Sequence, residues 1–140
     1  MARPLYHLEY HDAIPYEEIL YQGISKEASA KKFPPMQPLG IFIKDREGIV
    51  IGGISALMLY GSLYIDSLWV GAAARRQGWG TKLIQEAERI GKERGAKFAT
   101  LNTMDFLETV PFYQKLGYSI EFIREGYAEN SKMFLLRKTL

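Results

Sequence analysis

Cysteine is absent from this 140-residue chain. Its absence excludes disulfides, thiolate metal sites and a cysteine nucleophile together. Histidine is scarce. His7 and His11 are the only two, and a pair of imidazoles without a thiolate is a poor metal set, so both read as surface residues and no metal is expected. An excess of either charge is also missing, with 18 Lys plus Arg against 16 Asp plus Glu. That balance gives no electrostatic case for nucleic acid or a membrane surface as partner. Near the start, Arg3, His7, Glu9, His11 and Asp12 leave no room for the apolar core of a signal peptide. The expected location is therefore the cytoplasm.

One uncharged run, residues 49–65, approaches membrane-spanning length. Gly52, Gly53 and Gly61 interrupt it, Asp66 follows, and Tyr60-Gly61-Ser62 reads as a turn. A buried β-hairpin is predicted there in place of a membrane helix.

What is present suits a soluble globular protein: 47% apolar and 24% charged residues, in a length that fits one domain with a substantial core. Neither linker nor repeat breaks it, so residues 1–140 are read as a single domain. Residues 5–10 read as a first strand, and Pro15 opens a helix carrying Glu17, Glu18, Ile19 and Leu20. Pro34, Pro35 and Pro38 stop the helical stretch that follows. Residues 39–44 and 49–60 read as strands joined by the polar turn at 45–48, and residues 63–70 as a third. Residues 81–94 form the clearest helix, with Leu83, Ile84, Ala87 and Ile90 on one face. Glu88 and Lys92 are spaced for an i,i+4 pair, and Gly95 suits the position just past the end. A strand at 98–103, a short helix at 109–116 ending at Gly117, and strands at 118–124 and 133–138 complete the order. The expected class is α/β in the mixed α+β sense, a sheet with helices on its faces.

After the apolar strand the chain reads Gly-Ala-Ala-Ala-Arg75-Arg76-Gln77-Gly78-Trp79-Gly80-Thr81-Lys82. A helix N-terminus offers unpaired N–H groups and partial positive charge, which favour phosphate. Gly78 and Gly80 would let an anion reach the backbone, and Arg75, Arg76 and Lys82 add charge. Thr81 and Lys82 stand in the reverse order for a P-loop, and Leu83 occupies the third glycine of a dinucleotide fingerprint, so both of those motifs fail. An ordinary glycine-rich turn stays open as the plainer reading of these residues.

Leu68-Trp69-Val70 followed by Arg75-Arg76-Gln77-Gly78-Trp79-Gly80 resembles the signature of the GNAT superfamily of acyl-CoA N-acyltransferases. A second patch, Phe112-Tyr113-Gln114-Lys115-Leu116-Gly117-Tyr118, resembles that family's helix before its sixth strand, and the element order agrees from Leu5 onward. Asp105-Phe106 and the Phe134 to Lys138 ending resemble a bacterial subgroup. The resemblance implies a GNAT fold, with a central, mixed, mostly antiparallel twisted sheet of six to seven strands and helices on both faces. It implies acetyl transfer directly from acetyl-CoA to a primary amine of a small molecule, protein or peptide, without a metal. Arg75, Arg76, Gln77, Gly78, Trp79, Gly80 and Thr81 would cradle the CoA pyrophosphate. Leu68, Trp69 and Val70 would offer backbone groups to the pantetheine arm and thioester carbonyl, an oxyanion hole.

Tyr113 matches the family's general acid, and a tyrosine with a pKa of about 10 can protonate a thiolate whose conjugate acid lies at about 8.5. A core aromatic beside Phe112 is the alternative. Period two places Tyr64, Asp66, Leu68 and Val70 on one strand face, and Asp66 in so apolar a strand is a candidate base, or else a structural carboxylate. Phe106 stands where many members place an asparagine, and Asn102 on the preceding strand could substitute. The family's acceptor region would draw on Tyr16, Tyr21 and Phe33 and on Glu125, Tyr127 and Glu129, groups suited to a cationic amine. A homodimer is a further expectation. A catalytically impaired acyl-CoA sensor is the second reading, and a nucleic-acid-binding domain using Arg75 and Arg76 the third.

Overall fold

A computed structural model describes residues 5–140. The chain divides into two compact units, one ending at Pro35 and the other running Met36–Leu140. In the first, Pro15 sits in a 3-10 turn (Ile14–Tyr16) that leads into α1 (Glu17–Ala30). Glu17 and Glu18 lie in its first turn, where carboxylates favour the helix dipole. The strand expected at residues 5–10 does not form. Alternation gave that segment two faces, but a strand also needs a ladder, and among the described residues none pairs with it. Glu9 there accepts hydrogen bonds from His11 (3.0 Å) and His7 (2.6 Å), which hold its pKa below the ordinary glutamate range.

The second unit is built on a six-stranded sheet: β1 (Gln37–Lys44), β2 (Val50–Leu59), β3 (Ser62–Val70), β4 (Phe98–Met104), β5 (Ser119–Tyr127) and β6 (Ser131–Thr139). The spatial order is β1-β2-β3-β4-β6-β5, and every neighbouring pair is antiparallel except β3 with β4. Pro38 lies inside β1 instead of ahead of it. β1 is an edge strand, the one place in a sheet where a missing N–H is tolerated.

The uncharged run is the predicted hairpin. Leu59 pairs with Ser62 across Tyr60-Gly61, whose φ values of 46° and 84° carry the type I′ signature. No described helix is long and apolar enough to cross a membrane.

Two helices share one face of this sheet, α2 (Trp79–Glu93) and α3 (Val110–Lys115). α2 turns Leu83, Ile84, Ala87, Glu88 and Gly91 inward, a helical stripe. Ile54, Leu63, Ile84 and Leu136 are almost fully enclosed, each worth about 1.5–3 kcal/mol of transfer free energy. The expected Glu88–Lys92 pair is not made. Glu88 follows Ile84 by one turn and so faces the core, where it accepts the Tyr118 hydroxyl at 2.7 Å and Lys138 Nζ at 2.9 Å. The surface pairing of α2 belongs to Arg89, which reaches both Glu86 and Glu93.

Candidate active site

Parallel pairing of β3 with β4 runs from Ser62 opposite Phe98 to Ile65 opposite Leu101 and then stops. At the same level the register with β2 slips: Ala56 faces Ile65, Ser55 faces Ser67, and Asp66 is the extra residue. This is a β-bulge, which bends its strand and re-aims the side chains beyond it. The single face expected for Tyr64, Asp66, Leu68 and Val70 is therefore broken. Leu63 and Ile65 enter the core before the bulge and Leu68 and Val70 pack against it afterwards, while Asp66 and Trp69 stand exposed. Residues 67–70 stay paired with β2 on one edge and have no ladder partner on the β4 edge. Asn102, the first β4 residue past the last parallel pair, is exposed across that divergence.

The chain leaves β3 through Gly71, whose N–H reaches Ile51 O at 2.7 Å, and a 3-10 turn at Ala72–Ala74. Arg75 Nε donates to Val70 O at 2.8 Å, drawing the loop back onto the strand end. Arg76 and Gly78 both adopt positive φ, 62° and 83°. α2 starts directly afterwards, two residues before the expected position, and no side chain caps it. Its first N–H groups thus lack an intrahelical acceptor. A Cβ at Gly78 would meet nothing within 4 Å, so the space over this turn is open. Gly80 differs: a Cβ there would lie 3.3 Å from Phe112 Cζ, because α3 packs against the first turn of α2. Arg76 and Lys82 are exposed beside this end, with Lys82 Nζ 4.8 Å from the Trp79 ring centroid. Open N–H groups, a positive helix end and two cations are what an anion site requires.

α3 is tied to β4 by the Thr103 and Thr109 hydroxyls, 2.7 Å apart. It buries Tyr113 to 7% exposure, edge-on to Phe112 and to Tyr118 with centroids 5.0 and 5.9 Å away. Burial raises the Tyr113 pKa. Tyr118 is pushed further up, first by burial and then by its hydrogen bond to Glu88. Both phenols are protonated at neutral pH, but only the Tyr118 hydroxyl is already engaged within the protein.

The remaining candidates are spread more widely. Phe106 is exposed in a 3-10 turn, Asp105–Leu107, and Oδ1 of Asp105 is sealed from solvent without a hydrogen-bond partner. Glu125 pairs with Lys132 at 3.4 Å, the Tyr127 hydroxyl donates to Met133 Sδ at 3.5 Å, and Glu129 is exposed. Tyr16, Tyr21 and Phe33 belong to the first unit, where Tyr16 lies against the His11 ring at 5.2 Å. Sequence reasoning missed Glu88, Tyr118 and Lys138 as one cluster. The one-turn step from Ile84 to Glu88 was the signal that could have found it.

Comparison with known proteins agrees with this geometry. The sequence profile of the acetyltransferase (GNAT) family matches residues 5–118. A blasticidin-S acetyltransferase from Streptomyces morookaense is 32% identical over 107 residues, covering 76% of this chain and 78% of that protein. An acetyltransferase structure from Bacillus cereus superposes with a TM-score of 0.75 at 29% identity, covering 97% of this chain and 99% of that one. A Bacillus anthracis protein described as a streptothricin acetyltransferase, solved with acetyl coenzyme A, shares the fold (TM-score 0.66, 20% identity, 74% and 62% coverage).

Proposed function

The chain belongs to the acetyltransferase (GNAT) family, and from that premise we propose that it moves an acetyl group from acetyl-CoA directly to a primary amine of a small molecule or a peptide. The observation that carries this reading is the uncapped start of α2 directly after a strand that has left its neighbour. Phosphate needs the first; an extended arm ending in a thioester needs the second. A fold neighbour solved with acetyl coenzyme A supports the choice of donor, and the relative named for blasticidin S supports a small-molecule acceptor.

In this reading Arg75, Arg76, Gln77, Gly78, Trp79, Gly80 and Thr81 hold the pyrophosphate, with Arg75 also fixing the loop through Val70 O. Leu68, Trp69 and Val70 lie on the stretch of β3 that has no β4 ladder partner, with the Val70 carbonyl taken by Arg75, and Asn102 is exposed just past the last parallel pair. Acetyl-CoA supplies an acyl group already activated as a thioester. The strand N–H groups stabilise the charge that develops on its carbonyl oxygen, the strongest rate-raising effect open to such a site. Tyr113, protonated and with its hydroxyl uncommitted, donates a proton to the departing sulfur. Asp66 stands exposed at the bulge and accepts, directly or through water, the proton lost by the ammonium. With no cysteine, attack by the amine itself is favoured over a cysteinyl intermediate.

Thiol release from acetyl-CoA across a panel of amines tests the proposal. Amine-dependent release with matching acetylated product supports it. Tight acetyl-CoA binding without release from any amine would favour the sensor reading.

A further inference from the structure

Gly78 and Gly80 stand two residues apart at the start of α2, yet their surroundings differ. Gly78 is exposed, and nothing lies within 4 Å of where its Cβ would be. Gly80 precedes Ile84 by one helical turn and Ala87 by two, so it lies on the stripe that faces the core, and it is half-buried. Its backbone is ordinary helix, outside the left-handed region, where alanine would be the better residue by propensity. What excludes a side chain there is α3. A Cβ would lie 3.3 Å from Cζ and 3.6 Å from Cε1 of the Phe112 ring. The missing side chain makes room for an aromatic ring, whatever the Gly80 N–H does for phosphate.

That ring belongs to the neighbour of the proposed proton donor. α3 has six residues, too few to hold its own place as an isolated helix. The contact between the Thr103 and Thr109 hydroxyls, 2.7 Å apart, fixes its start. At its end the Tyr118 N–H donates to Tyr113 O at 3.1 Å. Between these points Phe112 rests on Gly80 and lies edge-on to Tyr113, with centroids 5.0 Å apart. The Tyr118 ring, bonded through its hydroxyl to Glu88 of α2, supports Tyr113 from another side. Both ties to α2 therefore set where the Tyr113 phenol stands relative to that helix. Close-packed atoms pass a displacement on instead of absorbing it.

We infer that Gly80 is a positioning residue: by carrying no side chain it sets the spacing between α2, whose start seats the cofactor, and α3, which carries Tyr113. The inference rests on the acetyltransferase reading and deepens it, because it separates two tasks within one glycine loop. Gly78 leaves the turn open to the pyrophosphate, and Gly80 brings the proton donor to the departing sulfur.

Gly80→Ala tests this, since it keeps the backbone N–H and presses Phe112 aside by a few tenths of an ångström. A misplacement of about 1 Å can cost about 100-fold, so this smaller one should lower kcat by about three- to tenfold. Acetyl-CoA affinity, measured by calorimetry, should not change. The loss should disappear in two backgrounds. In Phe112→Leu the new methyl has no ring to press on, and in Tyr113→Phe there is no hydroxyl to misplace. Adding Gly80→Ala to either should alter kcat by less than about twofold. Urea unfolding supplies a readout besides turnover. Gly80→Ala should raise the midpoint more in Phe112→Leu than in the wild type, where the clash offsets the gain in helix propensity.

Wild-type kcat in Gly80→Ala overturns the inference. So does a loss equally large in the Tyr113→Phe background, which would make the effect unrelated to proton donation. Acetyl-CoA affinity falling in step with kcat also overturns it, and returns Gly80 to the pyrophosphate seat alone. A wild type that releases no thiol with any amine sinks the transferase reading itself, and this inference with it. An active wild type indifferent to Gly80→Ala sinks only the inference.

Discussion

The two ends of α2 are built from the same materials and finished in opposite ways. Each carries a glycine in the left-handed region, Gly78 at φ 83° and Gly95 at φ 97°. At the C-terminal end the Gly95 N–H donates to Lys92 O and the Ala96 N–H to Gly91 O, closing the carbonyls in a Schellman arrangement. At the N-terminal end no side chain caps the helix. A helix selected for stability alone gains from a cap at each end, typically about 1 kcal/mol at the N-terminus. An end left open, with Arg76 and Lys82 exposed beside it, keeps its donors for an acceptor from outside. The same contrast recurs in two neighbouring tyrosines. Tyr118 is committed to Glu88, whereas Tyr113 is buried but not bonded, so one hydroxyl serves the core and the other is left uncommitted.

The largest expected effect breaks the tyrosine pair apart. Tyr113→Phe should lower kcat by about 100-fold or more, within the range of general-acid catalysis, with acetyl-CoA affinity nearly intact. Tyr118→Phe should instead cost about 1–2 kcal/mol of stability through the lost bond to Glu88 and leave most of the turnover. Steady-state kinetics of both variants decide the matter: equal losses of kcat would erase the distinction.

Next in size is Lys138→Met, which leaves Glu88 with one partner. The loss should be about 2–3 kcal/mol by urea unfolding, below the value for a fully sealed pair because Lys138 is 26% exposed. An unchanged midpoint would show that Glu88 is held well enough by Tyr118 alone.

The two glycines sharpen the comparison of helix ends. Gly78→Ala and Gly95→Ala each force an alanine into the left-handed region, at about 1–2 kcal/mol. Only Gly78→Ala should also weaken acetyl-CoA binding. If both variants bind equally well, the open end of α2 is not the anion seat.

The smallest effect is in pH. Tyr118 holds its proton more tightly folded than unfolded. The stability this brings is complete below the unfolded value of about 10 and falls as pH rises above it. Thermal melts between neutral and strongly alkaline pH should fall more steeply for the wild type than for Tyr118→Phe.

Much of this arrangement was legible in the sequence because it is periodic. Leu83, Ile84 and Ala87 mark the inner face of α2, Gly95 its end, and the glycines after Val70 its start. What was not legible depends on single residues that have no pattern. The bulge at Asp66 inserts one residue and reverses which side chains face the core, and nothing in composition announces it. Glu88 looked like half of a surface pair because its i,i+4 neighbour is a lysine, although its other helical neighbour, Ile84, belongs to the core. Residues 5–10 alternate as a strand should, yet alternation specifies two faces and not a ladder partner. Asp105 gave no sign that one of its oxygens would be enclosed, since that follows from how the last connection folds over the end of β4.

The central claim is that the open start of α2 is a seat for the pyrophosphate of CoA. Melting temperatures measured with acetyl-CoA, CoA, ATP and NADH, each in large excess, test it most directly. A ligand at about 100 times its Kd should stabilise the fold by about 2.7 kcal/mol, several degrees for a chain of this size. Stabilisation by acetyl-CoA and CoA, with none from ATP or NADH and a loss of the effect in Gly78→Ala, is the predicted result. No shift with either CoA species in a folded sample would contradict the account and make the glycine loop a purely structural turn.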